Sequence, residues 1–144
     1  MFMFRRFALL LGLLLLCGAA FAADAPPEYR YISASDLESR LNAGQPTHIV
    51  DIQVEAEFAR HHIRGAIPTQ AYPVKIEAER ARLSPLIEKL QGDSDPVVIV
   101  CPRGAGGARR TYDYLREKGI AAERLLILEK GQGGWTCAPL TEGK

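Results

Sequence analysis

Three compact runs of aliphatic, mostly β-branched residues constrain this chain more than any other feature: His48-Ile49-Val50-Asp51-Ile52, Val97-Val98-Ile99-Val100 and Leu125-Leu126-Ile127-Leu128. Runs this short, with little polar alternation, predict strands buried on both faces. Helical patterns lie between them. Ser35-Asp36-Leu37-Glu38 reads as a capping box that starts a helix ending near Asn42, and Gly44-Gln45-Pro46 stops it. Val54 to Arg60 predicts a short helix carrying Glu55 and Glu57. Ile76, Leu83, Leu86, Ile87 and Leu90 fall near helical spacing, and Ser84-Pro85 predicts a restart, with Ser84 as cap and Pro85 at the first helical position. Gly104-Ala105-Gly106-Gly107 opens a further helix whose Ala108, Tyr112 and Leu115 share one face, and Gly119 closes it. Strands alternating with helices predict an α/β fold with a central parallel sheet and helices on both faces. Ligands of such sheets gather at the carboxyl ends of strands, and Cys101 directly follows the strongest one.

The N-terminus is a different kind of sequence. Of the 144 residues, Met1 to Ala22 hold two arginines, an apolar run from Phe7 to Leu16, and Ala20-Phe21-Ala22, the small-x-small pattern of a signal-peptidase site. The run is shorter than the roughly 20 residues a bilayer span requires. A lipoprotein signal around Cys17 would want a small residue where Leu16 stands. The segment therefore predicts a cleaved secretory signal, residues 1–22, followed by one domain over 23–144 that begins with a short Pro26-Pro27 lead. The charges outside that segment nearly cancel, which gives no electrostatic footprint for nucleic acid or for a membrane surface after cleavage. Export implies an oxidising compartment, a bacterial periplasm, with Cys101 and Cys137 as the thiols of the mature chain.

Chemistry concentrates in Cys101-Pro102-Arg103-Gly104-Ala105-Gly106-Gly107-Ala108. A cysteine between a buried strand and a glycine-rich helix start is surrounded by backbone N–H groups and faces the positive end of a helix. Both favour negative charge on sulfur and an anion beside it. Glycines let the amides turn inward as a nest. Arg103 adds a cation, and Arg109 and Arg110 follow on the helix, with their direction left open. Read alone, the loop also suits a buried structural cysteine beside a plain strand-to-helix turn.

Three separated segments resemble the single-domain rhodaneses, a sulfurtransferase family. Ile49 to Gln53, Glu57-Phe58 and His62-Ile63-Arg64-Gly65-Ala66-Ile67-Pro68 are similar to the family's Asp-Val-Arg, Glu-Tyr and Gly-His-Ile-x-Gly-Ala segments. Cys101-Pro102-Arg103-Gly104 with Ala108-Arg109 resembles the active loop Cys-x-x-Gly-x-Arg-Ser-Ala, and Leu128, Gly133-Gly134 and Trp135 resemble the closing Leu-x-Gly-Gly-x-x-x-Trp. The resemblance implies a rhodanese-like fold, Cys101 as nucleophile and sulfur carrier, and substrate contacts from Arg103, Gly104, Ala105, Gly106, Gly107 and Ala108. It also implies a small thiosulfate-like donor, a thiophilic acceptor such as cyanide or a thiol, and no metal or organic cofactor.

The departures are specific. Gly106 and Gly107 replace the loop's Arg and Ser, and Gln53 replaces the arginine of Asp-Val-Arg, removing an ion pair to Glu57 or a neighbour. Related phosphatases place arginine six residues after the cysteine, where this chain has Gly107 and so no phosphoryl clamp. His62 is expected to hold the turn after it, Asp51 to hydrogen-bond the loop after its strand, and Trp135 to pack in the core. His48, His61 and His62 show no metal-ligand spacing. Two further readings are a rhodanese-like binding or sulfur-carrier module without turnover, and a redox protein pairing Cys101 with Cys137.

Overall fold

The structure, a computed structural model, describes residues 28–144. The expected signal segment 1–22, with Cys17, and the lead through Pro27 lie outside the described residues. Strands β1 (Tyr31–Ile32), β2 (His48–Asp51), β4 (Ile67–Pro68), β5 (Val97–Val100) and β6 (Leu125–Leu128) form one sheet in the order β1-β6-β5-β2-β4. All four neighbouring pairs are parallel, with Asp51 opposite Val100 and Ile99 opposite Ile127. The three aliphatic runs thus fill its centre. Their side chains alternate between two cores. Val50, Val97, Ile99, Leu125 and Ile127 face one side, and Ile49, Val98, Val100 and Leu128 the other.

Helices α4 (Ser84–Gln91) and α5 (Gly106–Glu117) cover the first face with Leu86, Leu90, Ala108, Tyr112 and Leu115. Helix α1 (Ala34–Asn42) covers the second with Leu37 and Leu41, joined by Ile63, Trp135 and Leu140. The α/β sheet with helices on both faces is therefore as expected. A separate antiparallel pair, β3 (His62–Ile63) with β7 (Thr141–Glu142), ties the C-terminal segment back to the turn after α2 (Glu55–Arg60).

Two caps differ from expectation. Helix α1 is capped by Ser33, whose hydroxyl accepts the N–H of Asp36 at 3.1 Å. Ser35 lies inside the first turn, 3.0 Å from the Ser33 hydroxyl. The frame Ser33-x-x-Asp36 is reciprocated, since the Ser33 hydroxyl also donates to the Asp36 carboxylate at 2.7 Å. Ser84 is not a cap either. Helix α3 (Glu77–Arg80) passes through a 3₁₀ turn, Ala81–Leu83, into α4 with helical dihedrals at Ser84, whose hydroxyl meets the Tyr114 hydroxyl at 3.1 Å. The tighter turn brings in Pro85 without a capping side chain, since a first-turn proline costs no hydrogen bond.

Candidate active site

Cys101 leaves the central strand at its carboxyl end and is 2% exposed. Its sulfur accepts the N–H of Gly104 at 3.0 Å. That bend requires φ +68 at Gly104, and a Cβ there would stand 2.6 Å from the Leu128 carbonyl oxygen and 2.8 Å from the Lys130 nitrogen. Only glycine fits. The glycine-rich segment after β6 forms the floor of the loop. Gln132 donates its N–H to the Cys101 carbonyl at 2.8 Å and Gly133 donates to the Pro102 carbonyl at 3.0 Å. Gly131, at φ +58, packs directly against the Cys101 carbonyl.

Helix α5 begins at Gly106 with no capping side chain at Ala105, and its first intrahelical bond is donated by Arg109 to the Ala105 carbonyl. The N–H groups of Ala105, Gly106, Gly107 and Ala108 have no acceptor among the described residues. With the Gly104 amide on sulfur, five successive residues supply N–H groups of which one is engaged and four are free. Such a run is suited to an anion.

The candidate side chains divide. Arg103 is exposed. Arg109 turns to β1, donating from Nε to the Tyr31 hydroxyl at 3.1 Å and lying 5.6 Å from the Tyr29 ring centre. Arg110 donates from Nε to the Pro73 carbonyl at 2.9 Å. Gly107 is buried under Tyr72, whose ring atoms come within 3.0 Å of where a Cβ would be, with the Ile52 side chain at 3.2 Å. A residue-107 side chain would therefore need the Tyr72 ring and the end of Ile52 to give by a few tenths of an ångström. Val74, two residues beyond Tyr72, holds φ +61, an uncommon conformation for a β-branched residue, so the segment covering the loop carries backbone strain.

Asp51, at the end of β2, is fully buried beside the strand that carries the cysteine. Its carboxylate accepts the Gln53 N–H at 2.8 Å and the Gln53 side-chain amide at 3.0 Å. Burial pushes its pKa up to about 6, and the two bonds from Gln53 restrain the rise. Asp51 therefore holds the turn after its strand, as expected. Gln53 also donates to the His61 carbonyl at 3.2 Å, which replaces the ion pair expected of an arginine at this position. Among the described residues, the buried Oε2 atom of Glu57 has no hydrogen-bond partner, nor does Oε1 of Gln132. Both residues line a cavity of about 510 Å³ between Gln53, Glu57 and His61 on one side and Pro102, Gln132 and Trp135 on the other.

The remaining candidates are structural. His62 stacks on Phe58, with ring centres 3.9 Å apart, and its Nδ1 lies 2.7 Å from the Phe58 carbonyl. Trp135 is buried, donating from Nε1 to Thr141 at 3.0 Å. Cys101 and Cys137 are both free thiols and belong to opposite faces of the sheet, so the expected alternative of a redox pair is not formed. Burial, with a hydrogen bond to Glu38, pushes the Cys137 thiol up. His48, set aside as a metal ligand on sequence spacing, lies with Asp93 and Asp95, their possible ligand atoms within 4.8 Å of one another. Asp93 is already paired with His48 at 2.8 Å and Arg124 at 3.0 Å. No helix among the described residues is long and apolar enough to cross a membrane.

The strand, the loop and the run of amides define an α/β domain organised around one buried thiol. The chain belongs to the rhodanese-like domain family, whose model matches residues 33–138. It is similar in fold to the rhodanese-like domain of an Anabaena protein, at 21% identity over 81% of each chain with a TM-score of 0.60. It is likewise similar to a yeast protein tyrosine phosphatase of the rhodanese family, at 17% identity over 83% of this chain and 95% of that one, TM-score 0.65. A thiosulfate sulfurtransferase from Pseudomonas aeruginosa matches at 25% identity over 81% of this chain but 20% of its own, TM-score 0.60. No curated protein matches the sequence.

Proposed function

We propose that the chain is a thiosulfate-type sulfurtransferase that carries sulfane sulfur on Cys101, and that it works in the periplasm after removal of Met1 to Ala22. The observation that carries this reading is the Gly104 N–H on the Cys101 sulfur at 3.0 Å, followed by four uncommitted amides. They suit both charges the reaction develops. The Cys101 thiolate attacks the outer sulfur of thiosulfate, forming a new S–S bond. The bond between the two thiosulfate sulfurs breaks, and its electron pair leaves with sulfite. The persulfide anion on Cys101 keeps the charge within reach of the amides, as an oxyanion hole does. A thiophile such as cyanide or a thiolate then takes the outer sulfur and regenerates the thiolate. Atoms and electrons balance without a metal or redox cofactor. Support also comes from the likeness to the Pseudomonas aeruginosa enzyme and from Gly107, which leaves no arginine at the phosphoryl-clamping position of the related phosphatases.

The test is mass spectrometry of mature protein incubated with thiosulfate. Wild type gains one sulfur atom and releases it as thiocyanate on adding cyanide, and Cys101→Ser does neither. A serine variant that transfers sulfur as well as wild type overturns the assignment. Loading without turnover to any acceptor marks a sulfur carrier instead. An N-terminus at Ala23 in protein recovered from the periplasm tests export.

A further inference from the structure

We infer that Arg110, from the second turn of α5, is the residue by which this site recognises the anionic group of its sulfur donor; the inference deepens the sulfurtransferase reading and rests on it. The helix begins at Gly106, which has no side chain, and the guanidinium of Arg110 occupies the vacated space. Its Nη1 lies 2.9 Å and its Nη2 3.4 Å from the point where a Cβ of residue 106 would stand. The group is held from behind by the bond from Nε to the Pro73 carbonyl at 2.9 Å. Neither Nη atom has a partner among the described residues, so the two-pronged end that matches an oxyanion is uncommitted. It sits at the amino end of the same helix whose first amides are free, adding a full charge to a partial one.

The other cations near the loop do not compete for this role. Arg109 is spent on Tyr31 and the Tyr29 ring, and Arg103 is exposed with no hydrogen bond or ion pair among the described residues to fix its direction. A Cβ at position 106 would stand 2.9 Å from Nη1, so a side chain there would displace the end of Arg110 from its present position. The chain thus carries its loop cation from four residues further along the helix, tethered by Pro73 rather than by the loop backbone. The donor class that fits is a sulfane sulfur bonded to an oxyanionic group, such as thiosulfate or an organic thiosulfonate.

A charge probe tests this without relying on turnover. Cys101 is alkylated with anionic iodoacetate and with neutral iodoacetamide, and labelling at Cys101 is followed by peptide mass. Arg110→Gln is expected to lower the ratio of the two rates at least about threefold, while Arg110→Lys retains most of it. In the sulfur-transfer assay Arg110→Gln is expected to raise the KM for thiosulfate about tenfold with a smaller change in kcat. The double variant Gly106→Arg with Arg110→Gln is expected to recover part of that loss, since it returns a guanidinium to the same space. An unchanged alkylation ratio in a folded Arg110→Gln protein overturns the inference. A lowered ratio in a protein whose wild type never transfers sulfur upholds Arg110 as the anion-recognising group and removes the sulfurtransferase reading instead.

Discussion

Gly131 lies so close against the carbonyl oxygen of Cys101 that no side chain can be placed between them. The two residues belong to different strand ends, and their contact joins the cysteine loop to the segment beneath it. Gly131→Ala has to relieve an overlap with backbone and also hold φ +58 with a Cβ. The expected loss is about 2–4 kcal/mol of folding stability, read as a shift of the urea midpoint, together with loss of sulfur loading at Cys101.

Gly107→Ser restores the side chain that the family loop carries, yet it is expected to destabilise this protein. The added atoms meet the Tyr72 ring and the end of Ile52 in a closed space. A cost of about 1–3 kcal/mol follows from overpacking. Combining it with Tyr72→Ala should recover part of the loss. Strict additivity in that double-mutant cycle would show that the two positions do not share the space.

Asp51 makes stability depend on pH in a direction opposite to ordinary acid denaturation. Its pKa is about 6 in the folded protein against an ordinary value of 3.8. Between those pH values the folded state keeps a proton that the unfolded chain has released. The contribution of this group is therefore most favourable below about pH 4, declines as pH rises through 6, and is about 3 kcal/mol poorer at neutrality. Denaturant titrations at pH 5 and pH 7 should show wild type losing more stability over that step than Asp51→Asn. Equal losses would remove the effect. The window lies above the range of Asp93, whose carboxyl is held below the ordinary value chiefly by the Asp95 N–H and then by His48.

Cys137 is expected to be dispensable. Cys101 and Cys137 should both count as free thiols in unreduced protein, and Cys137→Ser should load sulfur from thiosulfate as wild type does. Burial and the Glu38 carboxylate also predict that Cys137 reacts with iodoacetamide more slowly than a free cysteine peptide at the same pH. Mass showing an internal disulfide would revive the redox reading.

Removing the cap of α1 gives a measurement away from the site. Ser33→Ala should cost about 1 kcal/mol with sulfur transfer unchanged, whereas Ser35→Ala should be nearly neutral.

The central sheet was legible because Val97–Val100 and Leu125–Leu128 are buried on both faces and therefore unbroken by polar residues. The edge strands Tyr31–Ile32 and Ile67–Pro68 were not, since two residues show no periodicity. At the site, Cys101 and the glycine turn announced themselves by sequence, and so did the closing Gly133-Gly134, though only as a motif. That the closing segment is the floor of the loop required the fold, because no local pattern records that Gln132 reaches the Cys101 carbonyl. The directions of Arg109 and Arg110 were undetermined for the same reason. Adjacent helical positions diverge by about 100°, and which one meets the loop depends on Tyr31 and Pro73, both distant in sequence. The cap of α1 was misplaced by two residues because Ser33 and Ser35 offer overlapping frames.

The bracing of Cys101 from residues 128–133 also sets an order of events during synthesis. A chain emerges from its N-terminus onward at roughly 5–20 residues per second. Cys101 is therefore made some seconds before the residues that shape its surroundings, and until they arrive its sulfur sits in an unbraced stretch of backbone. The last strand and its glycines complete the thiol's environment, so a chain halted before Gly131 would carry the cysteine without the chemistry.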